Sequence, residues 1–242
     1  MFLQPAVVAL LGKGLALTIA LTVITSVLAT CLGVLVGLGR LQGRRWLSVP
    51  AAVFVETFRN IPALVLVVFF AFALPNAFAP PLRRALFFDN PITHALAALT
   101  GLLAPWYLLG GALGLTLNTA AYIAELFRAG VGTVAREHVD AARSMGASWG
   151  VVYRKLLIPG GLHAAHPAIT SRLIHNMKNT ALLSFVSVPD FYGAVLTAIS
   201  RSFQAIEFLL LAAAVYLVLS LGMSAGLQAA ARKLFPTPRR PA

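Results

Sequence analysis

The chain has 242 residues, 59% of them hydrophobic and 11% charged, with a mean hydropathy of +0.85. Soluble domains hold about 45–50% apolar and about 25% charged residues, so a water-soluble fold of this length is excluded. The net charge of +12 does not point to nucleic acid, because uncharged runs long enough to cross a bilayer dominate and basic residues gather at one set of their ends.

A spanning helix needs about 20 apolar residues, and five segments qualify. Leu15–Leu38 carries no charge and is too long for the apolar part of a cleavable signal. The single cysteine, Cys31, lies within it and is expected as a buried small hydrophobe. Val49–Phe78 is apolar except for Glu56 and Arg59, and Pro62 should kink or break it near its cytoplasmic end. A Pro/Asn-rich connector then runs from Pro75 through Arg83 and Arg84 to Pro91, too polar and broken to span. His94–Phe127 should divide at Pro105 into a short interfacial piece and a true span beginning near Trp106. Ile169–Val188 holds Arg172, His175, Asn176 and Lys178 in its first half, and Phe208–Ala231 is uncharged up to Arg232-Lys233. Neither a solenoid-type repeat nor inverted symmetry is visible. The expected fold is all-α, a polytopic membrane protein of about five spans forming a single transmembrane domain over residues 1–242.

Basic residues set the orientation. With the N-terminus outside, 14 of the 19 Lys and Arg fall inside: Arg40, Arg44 and Arg45, the group from Arg128 to Lys178, and Arg232, Lys233, Arg239 and Arg240. Lys13, Arg83, Arg84 and Arg201 stay outside, and Arg59 is left in a membrane segment. The stretch Arg136–Pro159 is thereby placed in the cytoplasm. Ala141, Ala142 and Gly146 leave one side of a short helix nearly bare, which lets another backbone approach, with Trp149 or Tyr153 adding packing area nearby. Asp140 is expected near the helix N-terminus and Arg154 and Lys155 near its other end, each with the sign the macrodipole favours. Pro159 is expected to end this helix.

Glu56 and Arg59, and likewise Glu125 and Arg128, are spaced i, i+3 and can meet on one helix face. Two readings stand for each pair. It can neutralise itself near the headgroups with the arginine snorkelling, or line the path, hold an inner gate and meet a zwitterion's two charges. Lys178 and Thr180 lie deeper and are the better path candidates, with structural support of a gate as the competing role. His163 and His166 offer two ligands where a metal needs more, and Pro167 should interrupt their helix, so no metal site is expected. The P-loop pattern G-x-x-x-x-G-K-[ST] is absent. Seven acidic residues argue against an internal proton or sodium relay. The chain therefore carries no expected catalytic residue or cofactor.

Four motifs occur in order. Asp140-Ala141-Ala142, Gly146, Leu156, Ile158 and Pro159 resemble the coupling loop (E-A-A-x3-G-x9-I-x-L-P) of the membrane subunits of bacterial ABC importers, with Asp in place of the usual Glu. Glu56-Thr-Phe-Arg59-Asn-Ile-Pro62 resembles the E-x-F-R-G-T-P motif of permeases for polar amino acids. Ala121-Tyr122-Ile-Ala-Glu125-Leu-Phe-Arg128-Ala-Gly130 is similar to their A-Y-x-A-E-x-F-R-G-G element, and Asn176-Met-Lys178-Asn-Thr180 to their N-x-x-K-x-T-S-L element. The resemblance covers most of the chain from Glu56 onward, and departs from the pattern at Asn60, Ile61, Ala129 and the long Pro75–Pro105 connector.

This resemblance to the histidine/glutamine/glutamate-type permeases implies a type I importer membrane subunit in the bacterial inner membrane, N-terminus outside and C-terminus in the cytoplasm. It implies a coupling loop at about 136–160 that docks on a separate ATPase, two such ATPase subunits holding ATP and Mg, a second identical or sibling permease, and an extracytoplasmic binding protein that delivers an amino acid. Nucleic acid is not an expected partner, whereas membrane lipid is. A stand-alone secondary carrier or channel is the alternative.

Overall fold

A computed structural model describes residues 4–41, 43–102 and 105–234. Arg239 and Arg240, counted above on the cytoplasmic side, lie outside the described residues. Every regular element among the described residues is helical. Helix α1 spans Pro5–Leu41 and starts well before Leu15, because Lys13 interrupts an apolar run without interrupting a helix. Cys31 is exposed on α1, contrary to the expectation of burial. Its neighbours Val27, Leu28 and Leu35 are also exposed. In a segment that faces lipid, apolar surroundings in sequence do not imply a protein neighbour.

The expected Val49–Phe78 span is two helices, α2 (Arg45–Asn60) and α3 (Ala63–Asn76), bent by 105° at the break. Pro62 stands immediately before α3, as its missing N–H and fixed φ favour. The connector contains a short helix α4 (Pro80–Arg83), a wide π-helical turn Arg84–Phe88, and α5 (Pro91–Thr100). Asn90 caps α5, its Oδ1 accepting from the N–H groups of Ile92 and Thr93, both at 3.0 Å. Gly101 ends it at φ +70°. Helix α6 (Pro105–Val131) is the span expected from near Trp106.

Two expectations about proline fail, at Pro159 and Pro167, and of these only Pro159 has a widened turn ahead of it. Helix α7 covers Arg136–Ser144, and α8 runs from Trp149 to Val186 straight through Pro159 and Pro167. Pro159 therefore does not end the loop helix, and Pro167 does not interrupt its own. A proline ring clashes with the carbonyl four residues earlier and offers no N–H to it. The π-helical turn Tyr153–Leu157 comes just before Pro159, and its wider loop moves that carbonyl aside. Pro75 follows the π-helical turn Phe69–Ala73 in the same manner. After Val186 the chain turns at Ser187 (φ 63°) into α9 (Phe191–Ser202), bent by 50° from α8. Helix α10 spans Ala205–Leu234. Among the described residues three helices can cross a membrane by length and apolarity alone, or five spans result if each bent pair is one.

The chain divides into two compact units. The first comprises the described parts of residues 1–28, 60–118 and 175–218. Its interior includes Leu21, Val67, Leu115, Leu183 and Val186, with a further group around Phe191, Val195 and Phe208. Helix α6 lies against α3 at Gly110 and Gly114, where an added Cβ would stand 2.6 Å from the Phe70 carbonyl oxygen and 2.9 Å from the Leu66 backbone. Several buried polar groups of this unit are hydrogen-bonded. Asn176, fully buried, donates through Nδ2 to Thr25 Oγ1 at 2.9 Å and to Ser26 Oγ at 3.2 Å. Asp190 caps α9, accepting from Gly193 N–H at 2.9 Å.

The second unit comprises the described parts of 29–59, 119–174 and 219–242. It packs Ala29, Ala120, Ile123, Ala165, Ile169 and Leu173 together. Gly33 and Gly37, one turn apart on α1, bring it against α6: a Cβ at Gly33 would lie 2.8 Å from the Ala120 carbonyl oxygen, and one at Gly37 would lie 2.7 Å from the Phe127 ring. Small residues at this spacing are how membrane helices gain close packing.

Candidate functional site

The charged motif residues of the second unit form one cluster. Arg59 pairs with Glu56 at 3.2 Å on α2, and Arg128 with Glu125 at 2.6 Å on α6, as the i, i+3 spacing predicted. What the spacing did not predict is Arg40, near the end of α1. Its guanidinium makes a close ion pair with Glu125 and stands 3.9 Å from Glu56. Two pairs that looked separate in sequence thus share one arginine, three cations against two carboxylates. Side-chain exposure runs from 18% at Arg40 and 23% at Glu125 to 51% at Glu56, so the cluster has a sheltered side and a wet side. Glu125, with two arginines on it, is its centre.

A polar rim extends the cluster. Tyr122 donates its hydroxyl to the Arg59 carbonyl at 3.1 Å, and the Arg172 guanidinium sits 3.9 Å from the Tyr122 ring centroid. Arg172 also donates to Thr119 Oγ1 at 3.3 Å. A guanidinium over an aromatic face is attracted by the ring quadrupole. Tyr122 stands in a motif, whereas Arg40, Thr119 and Arg172 drew no notice as site residues. An arginine within an apolar helix is the one signal that could have singled out Arg172.

Lys178 and Thr180 belong to the first unit and are not part of this cluster. Lys178 is exposed and lines a shallow, almost wholly apolar cavity of about 340 Å³ with Tyr192 and Tyr216. Thr180 is fully buried and donates to the Met177 carbonyl at 2.7 Å, so it faces no open path in this conformation. Pro62 acts through the backbone at the α2–α3 break, beside Ile61, whose carbonyl accepts from Asn118 Nδ2 at 3.3 Å.

The motif around Gly146 folds as two helices where one was expected. Helix α7 stops at Ser144 because Gly146 takes φ +83°, and the Ala147 N–H closes back on the Ala142 carbonyl at 3.0 Å, a left-handed helix ending. Arg154 and Lys155 consequently lie on α8 and do not serve α7. Asp140 is mid-helix, and Glu137 occupies the first turn. Asp140 and Ala141 are exposed, Ala142 is half-buried, and open space surrounds Gly146. Beside that opening Met145 is 88% exposed and Trp149 54%. Leu156 and Ile158 are half-buried and Pro159 is exposed. The Arg143 guanidinium lies 5.0 Å from the Trp149 ring centroid, and Tyr153 donates its hydroxyl to the Leu41 carbonyl at 3.3 Å. Leu41 follows Arg40, so a short chain of contacts joins this surface to the ion cluster.

Comparison with known proteins places the geometry in a family. Residues 29–235 match the binding-protein-dependent transport system inner membrane component family. The octopine transport system permease protein of Rhizobium meliloti is 30% identical over 220 residues, covering 91% of this chain and 83% of that protein. The histidine/lysine/arginine/ornithine transport system permease protein of Salmonella typhimurium is 28% identical over 210 residues, covering 86% and 82%. The fold is also that of a chain in a crystal structure of an amino acid ABC transporter with histidines, at TM-score 0.74 and 23% identity over 93% of this chain and 94% of that one. A chain of the methionine ABC transporter MetNI in an inward-facing conformation superposes at TM-score 0.70 with 19% identity, covering 96% and 99%. The all-α architecture expected from sequence is therefore that of the type I importer membrane domain, and this chain belongs to the family of binding-protein-dependent transport system inner membrane components.

Proposed function

We propose that the chain is one of two membrane-spanning subunits of an ATP-driven importer for a polar amino acid or a close derivative. The observation that carries this reading is the α7–α8 turn. Gly146 is exposed with open space beside it, next to the exposed Met145 and Trp149, a surface suited to a protein partner and not to lipid. The names of the relatives, permeases for octopine and for histidine, lysine, arginine and ornithine, favour an amino acid as the cargo. The excess of Lys and Arg on the α7 side supports an N-terminus outside and a C-terminus inside, which puts that surface where an ATPase works.

In this reading two ATPase subunits hold ATP and Mg, each receiving one α7 with Asp140, Ala141, Ala142 and Gly146 at the contact. Their closure draws the two loops together. The pull reaches the membrane through Trp149 and Tyr153 to Leu41, and so to Arg40 and Glu125, whose ion pairs hold the ends of α1, α2 and α6 in register. Glu56, Arg59, Pro62, Glu125 and Arg128 then act at the inner gate, with Lys178 on the path. An extracytoplasmic binding protein supplies the cargo from outside. Five spans are too few to enclose a polar path, so a second permease, identical or sibling, completes it.

Uptake of labelled amino acids into vesicles tests this, with the chain co-reconstituted with its ATPase and binding protein. Accumulation should require internal ATP and the binding protein together. Accumulation without ATP that collapses with an ionophore would replace the importer by a secondary carrier.

A further inference from the structure

The connector between α3 and α6 lies outside the four motifs, and it helps to line an open cavity of about 530 Å³. That volume falls within the range of small-molecule sites, about 300–1,000 Å³. Its walls include Phe72 and Asn76 from α3, Arg83, Arg84 and Phe88 from the connector, and Tyr107 from α6. All of them belong to the first unit. The aromatic wall is continuous: the Tyr107 ring centroid is 4.9 Å from that of Phe72 and 6.0 Å from that of Phe88.

The two arginines differ. Arg84 faces Asp89 at 3.5 Å, and Asp89 also meets His94 at 2.8 Å, so this charge is already answered. Arg83 is half-buried and donates from Nη1 to the neutral Asn76 Oδ1 at 2.6 Å. Among the described residues no carboxylate pairs with it. A guanidinium carries five N–H donors in a planar fork suited to a carboxylate. A cation held at a cavity wall by an amide alone leaves most of that fork unused.

We infer that this cavity is a binding site for a small organic carboxylate, with the anion on Arg83 and the apolar body against Phe72, Phe88 and Tyr107. It is distinct from the ion cluster and from the cavity at Lys178. The same donors would also accept the anionic headgroup of a lipid, and the test separates the two.

The probe is tritiated benzoate, bound to the full chain in phosphatidylcholine nanodiscs. Benzamide and benzylamine, of the same shape but neutral and cationic, serve as competitors. Benzoate should bind saturably, with each competitor weaker by about tenfold or more, as expected when a charge-assisted hydrogen bond is lost. Asn76→Asp keeps the hydrogen bond to Arg83 but supplies an internal carboxylate. It should abolish benzoate binding while leaving thermal unfolding unchanged, and Arg83→Gln should abolish it as well. Competition by benzamide as strong as by benzoate, or full binding in Asn76→Asp, overturns the inference. Loss of benzoate binding when phosphatidylglycerol enters the nanodisc would assign the site to a lipid headgroup and overturn the solute reading.

Discussion

The ion cluster of the second unit and the sealed polar interior of the first handle polarity in opposite ways. The second gathers Arg40, Glu56, Arg59, Glu125 and Arg128 where water still reaches them, at side-chain exposures between 18% and 51%. The first holds a sealed polar interior made mostly of neutral groups: Thr18, Thr25, Asn176 and Thr180 are each 0% exposed. Desolvating a charge costs far more than desolvating an amide or hydroxyl. Charged pairs are therefore kept where water offsets part of that cost, and amides and hydroxyls are used where it cannot. Asp190 is the exception, a buried carboxylate held at the start of α9 by the Gly193 N–H and beside Thr18, which accepts from Phe191 N–H at 2.9 Å.

Substitutions and salt can break this contrast. The largest effect is expected for Glu125→Gln, which leaves Arg40 and Arg128 without their shared anion. A loss of about 2 kcal/mol in unfolding free energy is expected, between the values for exposed and buried pairs. Because the cluster is partly wet, raising salt toward 1 M, where the screening length falls to about 3 Å, should shrink the difference from wild type. A salt-independent loss would show that the cluster is sealed like the first unit.

Asn176→Leu should cost about 1–2 kcal/mol, since it removes two donated hydrogen bonds but leaves Thr25 bonded to the Leu21 carbonyl at 2.7 Å. Salt should not change that cost. A salt-sensitive deficit at Asn176 would erase the distinction between the units. Tyr153→Phe is the smallest change, deleting one long hydrogen bond to Leu41 and costing about 0.5–1 kcal/mol. Its informative readout is the ratio of uptake to ATP hydrolysed in the reconstituted importer. An unchanged ratio would remove Tyr153 from the coupling route.

Much of this was legible in sequence because it is local. Runs of apolar residues mark the spans, and i, i+3 spacing brings Glu56 to Arg59 and Glu125 to Arg128 whatever the rest of the chain does. Arg40 was illegible as a partner because its carboxylate stands 85 residues away, and nothing in the composition of α1 selects one helix face over another. Thr25 and Ser26 were illegible for the same reason, although Asn176 within an apolar run was a signal. The misreading of Pro159 has another cause. A widened turn moves the carbonyl that the proline ring would meet, and the identity of residues Tyr153–Leu157 does not announce one. In sequence Gly146 looks like a bare packing surface, whereas its left-handed backbone is what divides α7 from α8.

The widened turn ahead of Pro159 also sets the angular phase of everything after it. Each residue of an α-helix advances the side chain by about 100°. Removing one residue from Tyr153–Leu157 would restore a regular coil but swing Ala165, Ile169 and Leu173 off their packing face. The apparent defect is thus a timing element: it keeps Ala165, Ile169 and Leu173 on the bearing at which they meet their packing partners.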